Sequence, residues 1–323
     1  MKYPFDRTGS GSAPAIWALA LLLIGFWLFA QLLTVLVLLP ILAQTSASGL
    51  SITSGQQIWV TLISLVVASS GLAGAALWWS KRVDRRQLLD LGIRLDIVGW
   101  RQYRRGFGTG LLFALALIFL ATIWGYITSN GAGDESSGQL AWRNLADPLF
   151  WLLLLGLLLA FIVQGGAEEI VCRGWLLTSI TRKAGLPVGL IVSSLLFAGL
   201  HPHYFFINGF DVSGSQLLIG FVGTSAIFGM GLMLAMIAMR DRSIMGACAM
   251  HSAFNFSIIA LGFTSFRLTS ETQTLADSFA AAFAGSTSLS QIEPALIVQL
   301  SLSFAVAAIL WVRVGLPKAQ SVD

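Results

Sequence analysis

Residues 14–43 contain no charged side chain, and similar apolar runs recur along the whole chain. A helix needs about 20 mostly apolar residues to cross the hydrocarbon core of a bilayer. Runs of that kind lie at 57–80, 106–128, 148–181, 188–205, 215–239, 244–263 and 294–315. In lipid every backbone amide must be satisfied inside the protein, so long apolar runs resolve into helices. The expected fold is therefore all-α, a polytopic transmembrane bundle of about eight spans. Composition agrees: 56% of residues are hydrophobic and 11% charged, with a mean hydropathy of +0.81, which excludes an ordinary soluble domain. The first run follows basic residues, as a secretory signal would. It is about twice the roughly 7–15 residue apolar core of a cleaved signal, so a retained helix is expected.

Basic residues orient the bundle, because cytoplasmic loops of membrane proteins are enriched in Lys and Arg. With a cytoplasmic N-terminus, the segments 1–13, 81–105, 182–187, 240–243 and 316–323 face inward. Together with Arg313 at the last membrane edge they hold all of the 19 Lys and Arg except Arg143, Arg173 and Arg267. An even number of spans returns the C-terminus to the same side, so both termini are expected in the cytoplasm. The pI near 9.4 is thus a topology signal, and no nucleic-acid motif accompanies it.

The chain divides into three parts. Residues 1–147 carry the N-terminal spans and a basic amphipathic loop, 148–263 a polar-bearing core, and 264–323 an outer loop and the last span. The loop KRVDRRQLLDLGIRLDIVGWRQYRRG mixes Arg with Leu, Ile and Trp. That pattern suits a basic amphipathic helix on the cytoplasmic leaflet or a plain positive loop. GFGTG at 106–110 has the spacing of small residues that lets helices approach closely. Cys172 and Cys248 both fall in spans and read as buried structural thiols.

Against this background GGAEEIVCRGW, residues 165–175, stands out. An ionisable side chain at membrane depth costs roughly 2.5–3.5 kcal/mol on insertion scales, so it persists mainly where it pairs or performs chemistry. Glu169 and Arg173 are four apart, acid first, as an intrahelical ion pair requires. Glu168 points about 100° away. Two acids face one base, which leaves Glu168 free. The chain has three histidines. A lone one in a span is usually a satisfied core imidazole, but two of these occupy spans near the glutamates: His201, sharing a face with Phe197, and His251, sharing one with Asn255. His203, beyond Pro202, reads as a bystander. A desolvated carboxylate is a ready proton acceptor for water, an imidazole can share the proton or bind a metal, and imidazole and amide N–H groups can hold an oxyanion. These are parts for hydrolysing an amide.

The ordered set EExxxR, FxxxH and HxxxN, each on its own span, resembles the CAAX-protease and bacteriocin-processing family. That family includes the type II CAAX prenyl endopeptidases and the bacterial Abi proteins, and the resemblance covers roughly residues 148–263. It implies an intramembrane endopeptidase whose cavity opens toward the cytoplasm and the bilayer. Glu168 would activate water with help from His201, while His251 and Asn255 would hold the oxyanion. Glu169 and Arg173, with Phe197 in the second motif, would shape the site. The family's metalloprotease label is compatible with zinc on Glu168, His201 and His251, and a metal-free glutamate mechanism is equally compatible, since no HExxH is present. Cys172 stands where the family often has an aromatic residue, and Pro202 and His203 follow FxxxH. The implied partner is a membrane-anchored peptide or protein, prenylated or bacteriocin-like, in a bacterial plasma membrane. Two other classes are compatible with the residues: an ion- or proton-coupled transporter, although no inverted repeat is visible, and a catalytically silent scaffold.

Overall fold

The computed structural model describes residues 14–48, 54–128, 148–201, 214–265 and 289–314. Lys2, Arg7, Arg143, Pro202, His203, Arg267 and Lys318 lie outside them. The described residues form helices and no strand: α1 (Ile16–Ser48), α2 (Ser54–Arg82), a 3₁₀ turn (Leu88–Leu91) and α3 (Ile97–Thr128). Then follow α4 (Pro148–Glu169), a π-helical turn (Ile170–Leu176), α5 (Leu177–Ala184), α6 (Leu186–Gly199), α7 (Gly214–Asp241), α8 (Met245–Ser265) and α9 (Leu289–Val314). α4, the π-turn and α5 form one uninterrupted rod. Five passages are long and apolar enough to cross a membrane: Ile16–Pro40, Ile58–Arg82, Ile97–Trp124, Phe150–Ala184 and Gln216–Asp241. The shorter apolar helices Leu186–Gly199, Met245–Ala260 and Ile297–Arg313 coincide with the other expected runs. The protein is a polytopic helical membrane bundle.

Lipid tails are as apolar as the side chains, so helices associate in a membrane through close packing more than through hydrophobic exclusion. The most extensive contact joins α3 to α8, followed by α7 with α9 and α4 with α8. Gly106 and Gly110 form the α3–α8 seam. A Cβ at Gly106 would collide with the carbonyl of Gly246, and one at Gly110 with that of Met250 and, at 2.9 Å, with Ala253. On α4, a Cβ at Gly165 would stand 2.6 Å from Ser252 Oγ. Small residues thus draw α3 and α4 onto different faces of α8.

The basic segment after α2 does not form a separate surface helix. Arg86, Asp90 and Leu91 are buried, which turns the chain inward after Arg82. Arg86 donates to Thr178 Oγ1 at 2.6 Å and Ser179 Oγ at 2.9 Å, and Trp175 Nε1 donates to Asp84 Oδ2 at 3.1 Å. The carbonyl of Gly92, a left-handed residue with φ 74°, accepts from Ile244 N and Ser243 Oγ, both at 3.0 Å. These bonds gather the α2–α3 junction, the first turn of α5 and the α7–α8 turn at one end of the bundle. The remainder of the basic segment forms the first turns of α3, where Asp96 Oδ1 caps the Gly99 N–H at 2.8 Å.

Candidate active site

The polar residues of three helices meet in one cluster. Glu168 and Glu169 close α4, and the π-turn that carries Arg173 begins at once. Such turns carry one more residue per loop of helix and recur at functional sites. Here the turn lies between two anchored stretches. Upstream, Gly165 presses against Ser252 of α8. Downstream, Trp175 is bonded to Asp84, and Gly174 sits so close to the 3₁₀ turn that a Cβ would lie 3.0 Å from Leu91 O.

Arg173 Nη1 donates to Glu169 Oε1 at 2.7 Å, as the spacing requires, and both side chains are essentially inaccessible. Its Nη2 donates to the carbonyl of Gly231 on α7 at 2.9 Å, and its guanidinium carbon lies 4.4 Å from the centre of the Phe197 ring. The ion pair is therefore also hydrogen-bonded to backbone and stacked on an aromatic face, as a buried pair needs to offset desolvation. The Phe197 ring in turn meets His201 and His251 edge-on, at 4.9 and 5.8 Å between centres.

Hydrogen bonds assign the histidine tautomers. His201 Nδ1 lies 2.9 Å from the Phe197 carbonyl, which can only accept, so the proton of the neutral ring is on Nδ1. His251 Nδ1 lies 3.0 Å from Glu169 Oε1 and donates to that carboxylate. Both rings thus turn Nε2 toward Glu168 Oε2, at 3.9 Å from His201 and 3.8 Å from His251. Glu168 Oε2 is buried without a hydrogen-bond partner. Glu168 Oε2 thus stands beside two imidazole nitrogens across gaps too long for direct hydrogen bonds.

The sequence reading left Glu168 free, but one of its oxygens is engaged: Gln164 Nε2 donates a hydrogen bond to Glu168 Oε1. Because the amide N–H must face the carboxylate, Gln164 Oε1 faces Asn255, whose Nδ2 donates to it at 2.9 Å. Gln164 is the participant that motif reading missed. Its signal was available, as an amide one helical turn before Glu168 inside an otherwise apolar run.

Glu168, Glu169, Arg173, Phe197, His201, His251 and Asn255 are all brought together. Glu168, His201 and His251 offer zinc-type donors, yet among the described residues no group of three or more His, Cys, Asp and Glu is placed to hold a metal ion. A tetrahedral ion with bonds of about 2.0–2.1 Å holds its ligand atoms about 3.3 Å apart, closer than Glu168 Oε2 stands to either imidazole Nε2. The three groups therefore do not form a preformed tetrahedral metal centre. An apolar groove of about 440 Å³ between α3 and α9, lined by Leu120, Trp124, Ile297 and Leu302 among others, is separate from the cluster.

Residues 150–257 match the family model described as type II CAAX prenyl endopeptidase Rce1-like. The matched segment contains every residue of the cluster, Gln164 included. No curated protein and no solved structure matches the chain.

Proposed function

From the premise that this chain carries an Rce1-like domain, we propose that it is an intramembrane endopeptidase that hydrolyses a peptide bond of a membrane-anchored substrate. The observation that carries this reading is the buried, unpartnered Glu168 Oε2, which faces two imidazole Nε2 atoms inside a membrane bundle. A water bridging Glu168 Oε2 and His201 Nε2 gives one proton to the carboxylate as its oxygen attacks the substrate carbonyl carbon. The carbonyl oxygen becomes the oxyanion, and Asn255 offers it the amide N–H that Gln164 does not occupy. His251 assists by donating from Nε2 when that nitrogen carries a proton, its ring held in place by the Nδ1 bond to Glu169. The proton held by Glu168 then passes to the amine nitrogen as the C–N bond breaks. Glu169 and Arg173 neutralise each other, so the residual negative charge of the cluster rests on Glu168.

Prenylated CAAX ends or bacteriocin-like peptides are the substrate classes that the family match suggests, and a bacterial plasma membrane, with both termini cytoplasmic, suits the charge pattern. The test is cleavage of a library of membrane-anchored reporter peptides, prenylated and unprenylated, by the purified protein in liposomes. Glu168→Gln keeps the shape and removes the base, and its rate should fall by about 10²–10⁴-fold or more, with Arg143→Gln unaffected. Chelator treatment in parallel decides metal dependence. A well-folded wild type that cleaves nothing would favour a scaffold or transporter.

A further inference from the structure

Residues 81–105 have two faces, and the chemistry above uses neither. The inward face is the set of bonds from Arg86, Asp84 and Gly92 to the π-turn, α5 and the α7–α8 turn. The outward face exposes Lys81, Arg82, Arg85, Arg101, Arg104 and Arg105. Among the described residues none of these six has an acid within ion-pair distance; the nearby pair, Arg94 with Asp96 at 2.6 Å, involves neither the run before it nor the run after it. Bulky apolar side chains share this outward face: Leu95 is 82% exposed, Ile97 62% and Trp100 55%.

Helical geometry gathers the second half into a stripe. At 100° per residue, Ile97, Trp100, Arg101, Arg104 and Arg105 fall within an arc of about 140°. Gly99, Gln102 and Gly106 lie on the opposite side and are buried. α3 has 32 residues, about 48 Å, against a hydrocarbon core of about 30 Å. The uncharged stretch after Arg105 is long enough to fill that core alone, which leaves Ile97–Arg105 at the level of the lipid headgroups. There guanidinium groups meet phosphate in forked hydrogen bonds, and aliphatic and indole side chains settle into the interface. An acidic soluble partner would match the cations but would leave Leu95, Ile97 and Trp100 without a counterpart.

We propose that residues 81–105 form a docking surface for the headgroups of anionic phospholipids in the leaflet they face. The inward bonds make this surface part of the platform beneath the π-turn, so headgroup binding stabilises the folded bundle by linkage.

The experiment uses the full chain in phosphatidylcholine bilayers with spin-labelled phosphatidylglycerol or spin-labelled phosphatidylcholine as the probe, reading the motionally restricted fraction of each. The wild type should prefer phosphatidylglycerol by about threefold or more at moderate salt, and the preference should shrink as salt is raised. The R101Q/R104Q/R105Q variant should lose half or more of it. A charge-matched variant at the same end of the bundle, K183Q/R240Q/R242Q, should keep most of it. Thermal unfolding in the same bilayers checks folding, and phosphatidylglycerol should raise the midpoint of the wild type more than that of R101Q/R104Q/R105Q. No lipid preference in the wild type, or equal losses in the two triple variants, overturns the proposal. Neither readout depends on peptidase activity.

Discussion

His251 is the residue on which the two glutamates meet: one ring nitrogen is bonded to Glu169 and the other turned toward Glu168. The neighbouring carboxylates therefore have different tasks, and substitutions should separate them. Arg173→Met leaves Glu169 as an uncompensated buried charge and should cost about 3–5 kcal/mol of stability. Adding Glu169→Gln should restore much of it, as measured by denaturant unfolding in detergent. Glu168→Gln removes a charge that has no cationic partner from a largely buried position and should leave the unfolding midpoint unchanged or raised. Gln164 holds Glu168 and Asn255 in one line, so Gln164→Met should lower the turnover number more than it changes KM. In a double-mutant cycle with Asn255→Ala the effects should fall short of additive, as for groups that act as a unit. Additive losses would place Gln164 outside the line. Most of the cluster was legible because charge is rare at membrane depth. Gln164 was legible only as a lone amide one turn before Glu168, because a neutral amide reveals its role only once its neighbours are known.

Among the elements, the α3–α8 seam and the α2–α3 junction set the position of the site. Gly110→Val would drive a branched side chain into Met250 and Ala253, which flank His251 in the chain, and should cost at least about 1–3 kcal/mol while misplacing the imidazole. At Gly108 a Cβ meets nothing within 4 Å. Gly108→Ala should therefore be neutral or stabilising, by up to about 1 kcal/mol, in the same unfolding assay. At the junction, burial holds the Asp84 carboxyl above its ordinary range, with the Trp175 hydrogen bond and the Arg182 charge opposing the shift. A carboxyl raised on folding binds its proton more tightly in the folded state, so its contribution is greatest below the ordinary carboxylate range and is lost as pH rises through the raised value. Asp84→Asn keeps an acceptor for Trp175, so its stability should match the wild type in acid and exceed it near neutrality. A variant less stable at neutral pH would mean that the ionised carboxylate, with Arg182, holds the junction. The GFGTG spacing anticipated the seam in outline. The amphipathic pattern of residues 81–105 was legible as well, but not that buried Arg86 and Leu91 would turn its first half inward.

At the scale of the molecule, hydrogen bonds bring the α2–α3 junction, the first turn of α5 and the α7–α8 turn together, so basic segments distant in the chain share one end of the bundle. That arrangement agrees with the charge bias and leads to a topology prediction. A reporter fused after residue 323 should be active only on the cytoplasmic side, and a fusion active on the opposite side of the membrane would invert the orientation. The length of the apolar runs and the scarcity of membrane-depth charge determined, from sequence alone, a helical membrane bundle with its membrane-depth polar residues on three helices, because the bilayer penalises every other arrangement of such a chain. Helical spacing also determined the Glu169–Arg173 pair, since that contact is local. The contacts across helices were decided only by the tertiary structure: His251 on Glu169, Gln164 between Glu168 and Asn255, Arg173 on Gly231 and Phe197. Spacing along one helix shows which face a side chain occupies. Which face of another helix meets it depends on where glycines let backbones touch and where a π-turn shifts the register.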